Sequence, residues 1–511
     1  MRKVLLYICS VFILGGMTSC EDFLDKREDV GLTEDDIFRD YYSLRGFLDQ
    51  SFNQLENVMV MDNWENGRAF VGLFADEMAT TDNSSAVFTL HSGNWLSNAK
   101  SNKTFEIGNA GSTAISRSYK ALRINNRIIN DIDKAPLTPE QKNEILGQAY
   151  FYRSWFYFQV IKRYGGMPII DKVFEGGDDD IPRMTYHESH DWMMEDIQKA
   201  IYMLPDSWDD PNYGRPTKIA AMALKEWAQL FDASPLMQND LNSTENKGYD
   251  TERAKSAAKS AYEVIRYMDG SKSAPYPYGL ASKEEYTNVF YFKYPPVHQP
   301  EYIWVKRQFP NAANQNQKRT IRTFWQYEDL AFGSGPDGNS MCCPSLNIVN
   351  MFDKKGADGI YYPIDDPRSG YALDYDHKPF EDRDPRFYNN ILLPGTTWGH
   401  YADGRTYYIT TYKGGAAYQH MLTQKDCNKR MFTGFMCKKF MWPECNQYLE
   451  KNNPNCWWDY RFLTIYIRAS QIYLDYAEAL FEGCGSATAT IEGCPISAAE
   501  AINILRRRIG L

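Results

Sequence analysis

The strongest constraint on the fold is a set of helix start and stop signals that recur in pairs along the chain. Thr138-Pro139-Glu140-Gln141 supplies an N-cap, a proline at the first helical position and a capping-box glutamine. Ile145, Ala149, Tyr152, Phe156 and Val160 then fall on one helical face. Lys162 and Arg163 suit the negative end of the helix dipole, and Gly165-Gly166 with Pro168 stops the run. Upstream, Ala121, Ile124, Ile128 and Ile132 mark a partner helix, and Thr185 with Glu188 caps another that runs to Leu204 and Pro205. A second pair begins at Thr217, with Ala220, Ala223, Trp227 and Leu230 on one face. Its mate begins at Thr251, with Ala254, Ala258, Ala261, Ile265 and Met268. A third pair is expected over Tyr466, Ala469, Tyr473, Tyr476 and Leu480, then from Ser497 with capping-box Glu500 through Ile502, Leu505 and Ile509.

The small alanines let helices approach closely, and starts within a pair lie about 35 residues apart. Such pairs resemble tetratricopeptide helix hairpins in a degenerate array with long inserts. Between 270 and 460 the texture changes: Gly, Pro, Asn and Asp are frequent and helical periodicity fades. Tyr302-Ile303-Trp304-Val305 and Thr406 to Tyr412 read as short β runs, and Asn311 to Gln317 as an exposed loop. The fold class expected is therefore mainly α: helix hairpins in an α-α superhelix, packed against a large irregular region with short β elements. Long ordered loops on a helical scaffold are where function usually sits.

The N-terminus has the three-part layout of a secretory signal. Met1-Arg2-Lys3 is a basic head, Val4 to Met17 is mostly apolar, and small residues lead to Cys20. The apolar run is too short for a spanning helix of about 20 residues. Met17-Thr18-Ser19-Cys20 looks like a bacterial lipobox, in which the Cys thiol is acylated and cleavage precedes it; a plain signal peptide with an incidental Cys is the alternative. No second apolar run of the required length follows, so membrane attachment would come from lipid on Cys20. Residues 1–19 are thus expected to be a cleaved lipoprotein signal. Residues 20–269 form an N-terminal helical part, 270–461 an aromatic-rich insert carrying the ligand face, and 462–511 a C-terminal helix pair. Residues 20–511 are expected to make one structural unit.

With 66 acidic and 56 basic side chains the formal charge is −10. Loss of Arg2 and Lys3 with the signal makes the mature chain more negative by two. Nothing would neutralise phosphates, which argues against DNA or RNA as a partner. Aromatic residues reach 15%, including 36 Tyr and 12 Trp, more than a core needs, so some rings should face solvent or a ligand. Apart from Cys9 and Cys20, eight cysteines remain, and an even number outside the cytoplasm permits disulfides. Cys484 and Cys494 bracket a Gly/Ala/Thr-rich loop and are the first candidate pair. No CxxC occurs that would suggest a thiolate zinc site.

Catalytic patterns are weak. Gly333 to Gly338 matches GxGxxG only as a string, since Pro336 interrupts it and no strand–helix context surrounds it. His187-Glu188-Ser189-His190 sets its histidines at i, i+3, not at the i, i+4 of HExxH. There is neither a Walker A sequence nor a GxSxG elbow. The acidic stretches Asp178-Asp179-Asp180, Asp365-Asp366 and Asp374 with Asp376 read as solvated loops. They could hold a structural Ca²⁺, although no EF-hand spacing occurs. No other cofactor and no metal centre is expected.

Several stretches, in order, resemble the SusD/RagB family of outer-membrane lipoproteins. These are Cys20 to Asp25 after the lipobox, Tyr119 to Asn126, Arg163 to Ile170 with its Gly-Gly-x-Pro turn, Asp384-Pro385-Arg386-Phe387, Arg468 to Ala479, and Ala501 to Arg508. Family members usually continue past this last helix with a Glu/Arg/Trp-rich segment, so the chain is expected to be truncated relative to the family. The resemblance implies a non-catalytic, lipid-anchored glycan-binding protein on the outer membrane, facing the exterior. It would deliver an oligosaccharide or polysaccharide to a SusC-like TonB-dependent transporter. A peptide-binding uptake role in the same family, a secreted glycosidase and a pure interaction scaffold are the alternatives.

Under that reading, ligand contacts are sought among loop aromatics beside amides or charges. Sugar C–H faces stack on such rings while hydroxyls need polar partners. Trp95 comes first, with Asn94, Asn98 and Asp82 as polar neighbours; the family often has a stacking Trp in the loop after its first helix. Trp325 with Tyr327, and Trp398 with Tyr401, come next. Trp155, Trp192 and Trp227 lie on helical stretches and are expected in the core.

Overall fold

The computed structural model describes residues 33–55, 75–79, 114–174, 180–239, 245, 247–274, 276–290, 299–307, 343–371, 378–400, 406–410, 412–415, 433–439 and 463–511. Eight long helices dominate them: α1 (Tyr41–Gln54), α2 (Ala114–Asp131), α3 (Pro139–Tyr164), α4 (Tyr186–Met203), α5 (Lys218–Ala233), α6 (Thr251–Gly270), α7 (Ala469–Cys484) and α8 (Ala498–Arg508). Each packs against the next in the chain, from α1 on α2 to α7 on α8. The whole 271–468 stretch is inserted between α6 and α7 without breaking that order. This is the expected superhelix of hairpins.

Local chemistry sets the helix ends. Thr138 and Thr185 each accept a hydrogen bond from the backbone N–H three residues on, and Gln141 and Glu188 reach back to close the capping box. Thr217 and Ser497 cap α5 and α8, while Asp250 caps α6. Gly165 ends α3 with φ at 77°, a region open to glycine. At Gly166 a Cβ would lie 2.1 Å from the Met184 carbonyl oxygen, so the Gly-Gly turn is a close approach as well as a stop. Helix α3 is buried on all sides from Ile145 to Ile161, which makes it the axis of the scaffold. Trp155 is buried there, and Trp192 and Trp227 pack against the same core.

Some expectations are corrected. Tyr466 lies on a strand, β2 (Leu463–Arg468), which pairs antiparallel with β1 (Tyr302–Arg307), so α7 begins only at Ala469. The run from Thr406 is a strand only to Tyr408. Glu500 does not return to its own N-cap; its carboxylate is taken by Arg507. Cys484 and Cys494 are free thiols and not a disulfide. The buried Cys494 Sγ is turned toward the Ala258 carbonyl of α6, 3.9 Å away.

Two polar devices tie the parts together. Arg153 on α3 grips Asp196 on α4 with two hydrogen bonds, 2.5 and 2.8 Å, and reaches Asn126 of α2 at 3.0 Å, all buried. Glu301, buried just before β1, accepts from Arg468 and Arg508 at 2.9 Å each, from Ser470, and from the Ala281 N–H. The irregular insert, its termini and the last helix therefore meet at one carboxylate.

Within the insert, Asp384 caps the short helix Pro385–Asn390 and clasps Arg386, and Phe387 is the centre of a second, small core with Val349 and Ile391. The Asp-Pro-Arg-Phe element is thus a folding anchor.

Candidate functional site

A recess lies where the α4–α5 connection, the segment after α6 and β1 converge, with a cavity volume of about 40 Å³. Trp208 and Tyr213 come from the first segment, Tyr276 and Tyr278 from the second, and Gln299 and Trp304 from the approach to β1 and the strand itself. Trp304 joins recess and core. Its ring sits 4.6 Å from Trp155 and from Tyr466 and 4.8 Å from Phe151, centroid to centroid. A rigid aromatic stack therefore backs the recess.

Hydrogen bonds fix the rings in place. Trp304 Nε1 donates to the Gly214 carbonyl at 3.2 Å, Trp208 Nε1 to Pro216 at 2.8 Å, and the Tyr302 hydroxyl to Val289 at 2.7 Å. Burial raises the pKa of the Tyr302 and Tyr278 phenols, so both stay neutral. Arg215 is the one charged lining residue. Its guanidinium is held by Asp49 at 2.7 and 2.9 Å and by Gln148 at 3.0 Å. The buried Oε1 of Gln299 accepts no hydrogen bond from any described residue.

Asp82, Asn94, Trp95, Asn98, Trp325, Tyr327 and Tyr401 lie outside the described residues, as do Cys20 and the leader. Trp398 is on the strand Thr397–His400, which pairs with Thr406–Tyr408. The recess residues were missed although they satisfy the same rule: Trp208 to Tyr213 and Tyr276-Pro277-Tyr278 are aromatics in polar connections.

The His187/His190 segment forms an ion cluster on the scaffold. His187 Nδ1 lies 2.7 Å from Asp232, which Arg253 also pairs, and His190 Nδ1 lies 3.0 Å from Asp191. Among the described residues no group of three or more His, Cys, Asp or Glu could hold a metal. None of their helices is long and apolar enough to cross a membrane.

Residues 22–226 match the model of a family described as starch-binding and associating with the outer membrane, and residues 300–511 match that of the SusD family. The chain belongs to the SusD family. A SusD-like protein of Formosa agariphila is 28% identical over 102 residues, a stretch that spans 20% of this chain and 20% of that relative. A SusD-like protein of Bacteroides fragilis superposes with a TM-score of 0.64 at 22% identity, covering 94% of this chain and 81% of its own. A laminarin-binding SusD-like protein gives a TM-score of 0.55 at 16% identity, covering 92% and 84%. At these identities the superpositions speak for the fold, and the fold of this SusD-family protein is the helical one described above.

Proposed function

We propose that this protein is a non-catalytic glycan-binding subunit, lipid-anchored through Cys20 to the outer membrane and facing outward. It captures an oligosaccharide or polysaccharide and delivers it to a SusC-like TonB-dependent transporter. The observation that carries the reading is the match of both halves of one chain to the SusD family, one of the two models being described as starch-binding. The laminarin-binding relative of the same fold adds to it. Trp95, with Asn94, Asn98 and Asp82, and the pairs Trp325/Tyr327 and Trp398/Tyr401 are the proposed primary sugar contacts. Stacking on such rings holds a saccharide without a paired acid and base to cleave it.

The test is retention of the full chain on a panel of immobilised glycans, with reducing ends assayed in parallel. Retention that weakens in Trp95→Ala, without release of reducing ends, is the expected result. A panel with no retention, or one that is cleaved, overturns the reading. Membrane retention that survives Cys20→Ala removes the anchor.

A further inference from the structure

We infer that Cys343 and Cys437 are the two halves of one disulfide, closed as the exported chain folds, that ties two small sheets of the insert together. The inference goes beyond the carbohydrate reading and takes from it only the export of the chain.

Placement comes first. Cys343 lies on the strand Cys343–Pro344, which pairs antiparallel with Met78–Ala79 and sets Cys343 opposite Ala79. Cys437 lies on the strand Met436–Cys437, which pairs with Ile391–Leu392 and sets Cys437 opposite Ile391. The two ladders belong to separate two-stranded sheets, yet the cysteine strands lie side by side, with the Cα atoms of Cys343 and Cys437 within 8 Å. A disulfide sets its Cα atoms about 5.5–6 Å apart, so closure asks for a shift of no more than about 2–3 Å. Among the described residues no backbone ladder joins the two sheets to resist that shift.

Burial comes second. Both cysteines carry thiols in this structure and both are buried, Cys343 completely. Burial pushes the Cys437 thiol up to about 12, with Lys439 opposing and Cys343 adding to the rise. The folded chain therefore holds almost no thiolate at Cys437, and thiolate is the species that exchanges. Closure belongs to folding, before the insert packs, and the finished bond is sheltered from reductants. The other cysteines among the described residues, Cys484 and Cys494, belong to the end of α7 and the connection to α8, and the Cys494 thiol faces the α6 carbonyl of Ala258.

The chemistry balances with a protein disulfide of the exporting compartment as oxidant. One cysteine thiolate attacks that disulfide to give a mixed disulfide, and the second displaces the oxidant. The two cysteines lose two electrons and two protons, and the oxidant leaves as a dithiol.

The consequence is local order. The bond closes a loop of roughly 90 residues, a span long enough to restrict the unfolded chain strongly. That loop contains the small core of Val349, Phe387 and Ile391. Met78–Ala79 meets the insert's strand over two residue pairs, a ladder too short to stand alone, and the bond would fix that ladder to the sheet beside the small core.

The experiment is mass-spectrometric peptide mapping of the full chain taken from cells, with thiols alkylated in denaturant at lysis and no reductant added. The expected result is a linked peptide pair containing Cys343 and Cys437, with alkylation of both at least about tenfold higher once the denatured chain is reduced. Cys437→Ala should unfold a few degrees below the unmodified chain, and an unmodified chain refolded after reduction and alkylation should match the variant. Full alkylation of both cysteines without reductant, or a link from either to Cys342, Cys427, Cys445 or Cys456, overturns the pairing. The mapping uses the unmodified chain and decides the matter even where the variant fails to fold. Thiols on a chain whose Cys20 carries lipid overturn the bridge alone, whereas thiols on a chain that keeps its leader overturn export as well.

Discussion

The hairpin scaffold and the 271–468 insert satisfy their backbones in opposite ways. In α1 to α8 nearly every carbonyl is bonded within its own helix, and side chains need only cap the ends, as Thr138 and Thr185 do. In the insert, long cations take over that work. Arg383 is buried and donates to the carbonyls of Val349, Phe352 and Pro379; Lys438 donates to Tyr388 and Lys354 to Glu381. Desolvation lowers the pKa of Arg383 and Lys438, in keeping with cations held among backbone carbonyls. A helix thus brings its own partners, whereas an irregular loop must import each one from elsewhere in the sequence. That difference makes the scaffold tolerant at its surface and the insert dependent on a few buried residues.

The sharpest way to break the comparison is inside the scaffold. Asp196→Ala strands the Arg153 guanidinium between α2, α3 and α4, and should cost about 3–5 kcal/mol in chemical denaturation. A loss below about 1 kcal/mol would mean that helix packing alone carries the array. Glu301→Gln tests the junction. It weakens charge-assisted bonds to Arg468 and Arg508 and should cost roughly 1.5–3 kcal/mol, with protection from hydrogen exchange lost first in α8.

The third test uses pH. Glu226 on α5 is fully buried, and desolvation, then the neighbouring Asp475 of α7, raise its carboxyl well above the ordinary range. Asp475 is itself pushed up to about 7, chiefly by burial, with Glu478 also raising it and Gln471 opposing. Burial thus favours the protonated form of both carboxyls in the folded chain. The folded state therefore binds more protons than the unfolded one. The pair's contribution is full below the ordinary carboxylate range near pH 4 and is lost as pH rises toward 7 and beyond. Glu226→Gln should stabilise the chain by about 1–3 kcal/mol at pH 8 and change little at pH 4. An equal effect at both values would refute the raised Glu226 carboxyl.

Smaller effects sharpen the contrast. Thr185→Ala removes a cap and should cost about 1 kcal/mol. Tyr412→Ala, at a half-exposed ring of the insert, should change stability by less than about 0.5 kcal/mol in thermal unfolding. A larger loss there would mean that the exposed aromatic is an anchor.

Helix ends were legible because an N-cap and its partner lie three residues apart and obey the same geometry in any chain. The helix pairs, the Gly165-Gly166 stop and the core positions of Trp155, Trp192 and Trp227 all follow from such local rules, as does the family resemblance. The N-terminus of α7 was misjudged because Tyr466 pairs in a strand with a segment near Trp304, and nothing within a few residues of Tyr466 encodes that partner. The same applies to Cys494, whose thiol faces the Ala258 carbonyl of a helix distant in sequence.

By itself, then, the sequence determined which segments are helical, where they stop and which family they serve, since these depend on interactions within one or two turns. Tertiary structure alone decided that Trp208, Tyr276, Gln299 and Trp304 share one recess, and that Asp475 acts on the buried Glu226. Both depend on segments far apart in the sequence, and contact across such separations leaves no periodic trace in the residues that make it.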